Sequence, residues 1–140
     1  MEDGPPVAGT VLRYRYLWRR EEEGGDRRGR KDRPAAIILS RTAGGETIVV
    51  PITHAEPLDP ATALEVPEEE RRRIGLDDER SWVILTEFNA FVWPGLDLGP
   101  VPGREPETFV YGRLSKAFFG HVLFQVQTLI RARLVARVGR

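Results

Sequence analysis

An arginine and a threonine at the two ends of one candidate hairpin are the residues of this chain best suited to chemistry. The stretch reads Lys31-Asp32-Arg33-Pro34, then Ala35-Ala36-Ile37-Ile38-Leu39-Ser40. A turn follows around Gly44-Gly45, and then Thr47-Ile48-Val49-Val50-Pro51-Ile52-Thr53-His54. Two short runs rich in Ile and Val around a Gly-Gly predict a β-hairpin. Each run is too short for a stable helix. Antiparallel pairing then sets Arg33, at the entry, beside Thr53, at the exit. A guanidinium can hold two phosphate oxygens at once, and a hydroxyl can donate one further hydrogen bond. His54 follows directly and can act as a base near neutral pH.

Other chemistries find less support. The chain has no cysteine, so disulfide and thiolate chemistry are excluded. His54 and His121 are far apart and no helical ligand pair occurs, so no metal site and no cofactor are expected. There is no P-loop glycine motif. A Ser-His-acid triad stays open on composition, but no nucleophile elbow is present.

The elements that must position these residues can be taken in order. Residues 1–8 are expected to be a flexible lead-in. Thr10–Trp18 alternates apolar and basic residues and predicts a strand. Arg13 and Arg15 then share one face, with Tyr14 and Tyr16 on the other. That alternation suits a nucleic-acid surface of charge and stacking, or simply a strand with one wet and one buried face. Arg19–Asp32 has no apolar anchor and is expected to be a mobile loop.

Beyond the hairpin, Pro57 and Pro60 mark a loop and Thr62–Val66 a short strand. Pro67 opens a short helix. Glu68, Glu69 and Glu70 meet the positive end of its dipole, Arg71, Arg72 and Arg73 the negative end. Gly75 stops it. Ser81–Glu87 reads as a buried strand, and Phe88–Trp93 as a further strand or a bend. Residues 94–107 form a Pro- and Gly-rich loop, and Thr108–Leu114 the last strand. Ser115 is the expected N-cap of a closing helix over 116–136. Its apolar face carries Phe118, Phe119, Val122, Leu123, Val126, Leu129, Ile130 and Leu134. Phe124 lies off that face as a candidate interface contact.

The net charge is zero, but it is unevenly spread. Arg13–Arg41 holds ten basic and five acidic residues, Thr42–Thr108 five basic and fourteen acidic, and Phe109–Arg140 six basic and none acidic. Basic ends around an acidic middle suit a polyanion site near the termini, or charges that interleave in the fold. No stretch approaches the roughly 20 apolar residues of a membrane span. The N-terminus has no signal-peptide pattern, and a cytoplasmic location is expected.

Arg33-Pro34, an apolar strand ending at Ser40, a turn, and Val50-Pro51-Ile52-Thr53 together resemble the MazF/PemK toxin family. Ala63-Leu64-Glu65-Val66, the charged short helix, Gly75-Leu76 and Ser81-Trp82-Val83 add to the likeness, which spans residues 9–93 and the final helix. The resemblance implies a mainly β fold with α: a small SH3-like barrel of the MazF/PemK/CcdB kind, as one domain over residues 1–140. A short helix would follow the fourth strand and a long helix would close the chain. It implies a homodimeric, sequence-selective, metal-independent endoribonuclease toxin that cuts single-stranded RNA to a 2′,3′-cyclic phosphate. An antitoxin with an acidic disordered segment would neutralise it.

Arg33 and Thr53 match the family's catalytic pair. Arg13, Arg15, Arg30, Lys31 and His54 are candidate RNA contacts. The chain departs from the family at His54, where a histidine is not used, and at residues 94–107, which look like an insertion. The alternative is a catalytically inactive module of the same fold that binds RNA or protein.

Overall fold

A computed structural model describes residues 5–25, 32–95 and 97–138. Within them the chain is mainly β, with eight strands and three α-helices. In order these are β1 (Thr10–Tyr14), α1 (Arg19–Glu23), β2 (Arg33–Leu39), β3 (Glu46–Thr53), a 3-10 turn at Pro60–Thr62, and β4 (Ala63–Glu65). There follow α2 (Glu68–Ile74), β5 (Trp82–Ile84), β6 (Glu87–Val92), β7 (Val110–Arg113), α3 (Lys116–Arg131) and β8 (Ala136–Val138). Among the described residues no helix is long and apolar enough to cross a membrane.

The predicted hairpin forms the middle of the sheet. β2 pairs antiparallel with β1 on one side and β3 on the other. β3 in turn shares its far edge between two strands: Glu46–Val49 pairs with β6, and Ile52–Thr53 with β5. β7 flanks β1, and β4 flanks β5. β2 is buried on both faces, which explains why its sequence is continuously apolar rather than alternating. Ala36 and Ile38 face one cluster with Val50, Ile52, Val83 and the Phe118, Val122, Val126 and Leu129 face of α3. Ala35 and Ile37 face a second cluster with Leu12, Tyr14, Tyr16, Trp18, Val49 and Phe91.

α2 follows the fourth strand with the charge order read from the sequence, and Gly75 ends it at φ 77°. Ser115 caps α3 as expected, its Oγ accepting from the Phe118 N–H at 3.2 Å.

Four expectations need correction. The segment from Arg19 is not a loop throughout, since Arg19–Glu23 is helical. Its anchors are polar: the Glu21 carboxylate accepts from the Trp18 N–H at 3.1 Å, and Glu87 accepts from the Arg19 N–H at 2.9 Å. The rest of that expected loop, 26–31, lies outside the described residues, as do residues 1–4 of the lead-in. The first strand ends at Tyr14 rather than Trp18. The closing helix ends at Arg131, not 136, because Arg133 adopts φ 58° and the chain turns. The Arg133 N–H donates to the Ile130 carbonyl and the Leu134 N–H to the Leu129 carbonyl, both at 2.9 Å, a Schellman motif with arginine where glycine is usual. Ile130, in the last turn of α3, and Leu134, just beyond it, are exposed. Finally, β7 is not the last strand: β8 returns to pair parallel with β6.

The loop at 94–107 is folded onto β1. The Arg15 N–H donates to the Asp97 carbonyl at 2.8 Å, and the Gly99 N–H to the Arg13 carbonyl at 3.1 Å. Arg104 closes its far end. Its guanidinium donates to the carbonyls of Ile74 at 3.0 Å and Tyr111 at 3.1 Å, joining the C-terminus of α2 to β7.

Candidate functional site

Arg33 opens β2 and Thr53 closes β3. The ladder sets Ala35 opposite Pro51, so one further step of strand alternation aligns Arg33 with Thr53. Both line a cleft of about 330 Å³, together with Arg13, Asp32, His54, Asp77, Ser81 and Tyr111. Three residues, on two strands and the segment after β3, thus line one cleft.

Arg33 is held in an unusual state. Its guanidinium carbon lies 5.1 Å from the centre of the Trp18 ring, a cation–π contact. Its Nε is buried without a hydrogen-bond acceptor, and so are Nε1 of Trp18 and Oγ of Ser81 as hydrogen-bonding atoms without partners. A buried polar atom left so costs about 1–3 kcal/mol. Arg33 and Ser81 both line the cleft, and unpaired polar atoms there suit a site whose polar groups serve a ligand rather than the fold. Burial also holds the Arg33 guanidinium below its ordinary pKa, opposed by the charge of Glu21 and reinforced by that of Arg20. A desolvated cation of this kind gains strongly from a phosphate.

Thr53 Oγ1 accepts from the Ala55 N–H at 3.2 Å. That bond uses a lone pair and leaves the hydroxyl hydrogen to be donated.

Arg13 donates from Nη1 to the Tyr111 hydroxyl at 2.9 Å. Asp32 bridges the two arginines of β1 and its extension, 4.0 Å from Arg13 Nε and 3.6 Å from Arg15 Nε. The insertion loop presses on this group: a Cβ on Gly99 would collide with the Asp32 carboxylate. Any larger residue there would make the Asp32 side chain shift.

His54 is held at both nitrogens. Nδ1 lies 2.9 Å from the Arg80 carbonyl and Nε2 2.9 Å from Asp77 Oδ2. Its pKa is raised, first by the Arg80 carbonyl, with partial burial opposing, and then by the hydrogen bond and charge of Asp77 and the charge of Glu79. Among the described residues, His54, Asp77 and Glu79 each place a potential ligand atom within 4.8 Å of the others. The sequence expectation of no metal-ligand grouping is corrected to that extent. All three are exposed, and the His54 contacts already satisfy its ring.

Of the sequence candidates, then, Arg33, Thr53, His54 and Arg13 share the cleft, and Arg15 joins it through Asp32. Arg30 and Lys31 lie outside the described residues. Asp32, Asp77, Ser81, Tyr111 and Trp18 were not foreseen. The first lies beside Arg33 in sequence and was open to notice; Asp77, Ser81 and Tyr111 reach the cleft only through tertiary pairing, and Trp18 lies against the Arg33 guanidinium. No protein-family model matches the chain, and no curated protein matches it.

Proposed function

We propose that the protein is a metal-independent endoribonuclease of the MazF/PemK kind, an SH3-like barrel that cuts single-stranded RNA as the toxin of a toxin–antitoxin pair. The observation that carries this reading is Arg33 and Thr53 on one cleft, with the buried Nε of Arg33 lacking a hydrogen-bond acceptor. RNA supplies its own nucleophile, the 2′-hydroxyl beside the phosphate. The site has to align that hydroxyl, stabilise the charge that develops on phosphorus and manage protons. Arg33 neutralises the phosphorane oxygens, and Thr53 donates a hydrogen bond to them. The proposed partners are RNA, a second copy of the chain and an antitoxin with an acidic segment suited to Arg13 and Arg15. Exposed Phe124, Ile130 and Leu134 favour a second copy on the α3 side.

Purified protein is expected to cut single-stranded RNA in EDTA and to spare DNA of the same sequence, which lacks the 2′-hydroxyl. Absence of cleavage across RNAs of varied sequence would favour the second reading, a non-catalytic module of the same fold that binds RNA or protein. The observation on its side is Asp32, which already neutralises part of the Arg13 and Arg15 surface.

Asp32 itself gives a test of RNA contact. Asp32→Asn keeps the shape and removes the competing charge. Affinity for an uncleavable 2′-deoxy strand is expected to rise roughly two- to fivefold at low salt, the size of an ion pair near the surface. The gain should shrink as salt rises. Unchanged or weaker binding in a polarisation titration would remove Arg13 and Arg15 from the RNA path.

A further inference from the structure

An imidazole and two carboxylates converge where the end of β3 meets the segment after α2. We propose that His54, Asp77 and Glu79 bind a divalent transition-metal ion of the zinc class at the rim of the cleft. The ion ties the end of β3 to the segment between α2 and β5. It takes no part in RNA cleavage, so the proposal holds or fails apart from the ribonuclease reading.

The three side chains each place a ligand atom within 4.8 Å of the others. Zinc bonds nitrogen and carboxylate oxygen at about 2.0–2.2 Å, so two atoms on one ion lie up to about 4.4 Å apart. His54 Nε2 and Asp77 Oδ2 are 2.9 Å apart, and the ion takes the place of the hydrogen between them. Glu79 is exposed and makes the small side-chain adjustment that the third bond needs. The other ring nitrogen is already set for this. Nδ1 lies 2.9 Å from the Arg80 carbonyl, which only accepts, so Nδ1 carries a hydrogen and Nε2 is the atom for the metal. Metal-binding histidines ordinarily have such an outer acceptor, which fixes the tautomer and the ring orientation. Asp77 Oδ1 accepts from the Glu79 N–H at 3.1 Å, which leaves Oδ2 for the ion.

The carboxylates stand on a segment held from outside. Arg71 is buried, and its Nη1 donates to the carbonyls of Asp78 at 2.8 Å and Glu79 at 3.2 Å. Arg80 forks onto Glu65 at 2.8 and 2.9 Å and lies 4.9 Å from the centre of the Trp82 ring. Its charge is therefore met by Glu65 rather than set against an ion at His54.

Ser81 gives a separate sign of a ligand. The ladder sets Thr53 opposite Trp82, and one step further brings His54 beside Ser81. Ser81 is 2 % exposed and lines the cleft with His54 and Asp77, yet its Oγ has no hydrogen-bond partner. Three protein ligands leave a fourth position on zinc for water. A water there gives the Ser81 hydroxyl its partner. The donor set also selects the ion: the two carboxylates neutralise its charge, and the imidazole favours zinc and its neighbours over magnesium and calcium, which prefer oxygen alone.

Protein stripped with EDTA, and then freed of it, is titrated with zinc chloride by calorimetry. The chain has no cysteine, so thiolates cannot account for binding. One ion per chain is expected, with a melting temperature that rises with zinc and returns to its starting value in EDTA. Nitrogen NMR of the ring should show His54 Nε2 shifted by the metal and Nδ1 still protonated. His54→Ala and the shape-conserving Glu79→Gln should each weaken binding by more than roughly tenfold, the lower end for losing an outer hydrogen bond alone. His121→Ala, on α3, should bind as wild type does. No binding in millimolar zinc overturns the assignment. So does zinc binding that survives both His54→Ala and Glu79→Gln, or that His121→Ala removes. Equal affinity for magnesium and zinc overturns it as well, since the imidazole would then take no part.

Discussion

Arg33→Ala is expected to slow RNA cleavage by about 10²–10³-fold, comparable with removing one donor from an oxyanion site. The guanidinium is the cation placed at the entry of β2, on the cleft wall that Thr53 shares. It is partly desolvated and rests on Trp18, so its field is little screened. The fold should change little. The variant loses the contact with Trp18, worth about 0.5–1 kcal/mol, and also removes a buried Nε that has no acceptor. A melting temperature within about 5 °C of wild type is therefore expected alongside the loss in rate. Arg33→Lys should recover part of the rate only, because a point charge cannot reproduce a planar fork. Single-turnover cleavage with a parallel melt separates these effects. Undiminished cleavage by folded Arg33→Ala would remove Arg33 from the chemistry.

Asn89→Ala is expected to be the most destabilising single change of a polar side chain described here. Asn89 is fully buried on β6. Its Oδ1 accepts from the Leu17 N–H at 2.8 Å, and its Nδ2 donates to the Leu17 carbonyl at 2.9 Å. The side-chain amide acts as a strand partner for a residue beyond the end of β1. That bond pair holds the chain between Tyr16 and Trp18, and Trp18 carries Arg33. Alanine leaves both Leu17 groups buried and unpaired, at about 1–3 kcal/mol each. A total of roughly 2–6 kcal/mol follows, seen as a melting temperature lower by about 10 °C. Asn89→Asp should not rescue, since a carboxylate cannot donate to the Leu17 carbonyl and would bury a charge. A loss under about 1 kcal/mol in denaturant unfolding would mean that water or a shifted backbone replaces the amide.

The part of the site that was readable from residue order is the part made by local signals. The Gly44-Gly45 turn and the β-branched runs around it placed Arg33 and Thr53 at neighbouring strand ends before any tertiary information. α2 was readable for the same reason, from its sorted charges and Gly75, and the start of α3 from Ser115. What stayed hidden is non-local or depends on an atypical residue. Asp77 meets His54 only because β3, β4 and β5 pair. Tyr111 reaches Arg13 through the β1–β7 ladder. The helix stop at Arg133 carries none of the glycine that marks such a turn, so the apolar pattern ran on past it to Leu134. α1 is held by Glu21 and by Glu87, and a search for apolar anchors overlooks carboxylates that bond backbone N–H groups. The 94–107 loop read only as an insertion because its grip on the first strand and the residue after it is made by backbone groups.

The most direct measurement is the chemical identity of the new RNA ends. Purified protein is incubated with a single-stranded RNA in EDTA, and the fragments are weighed by mass spectrometry. Attack by the substrate's own 2′-hydroxyl leaves a 2′,3′-cyclic phosphate on one fragment and a 5′-hydroxyl on the other, and those ends are the expected result. Fragments ending in a 3′-hydroxyl and a 5′-phosphate, or cleavage that EDTA abolishes, would contradict the site built on Arg33 and Thr53.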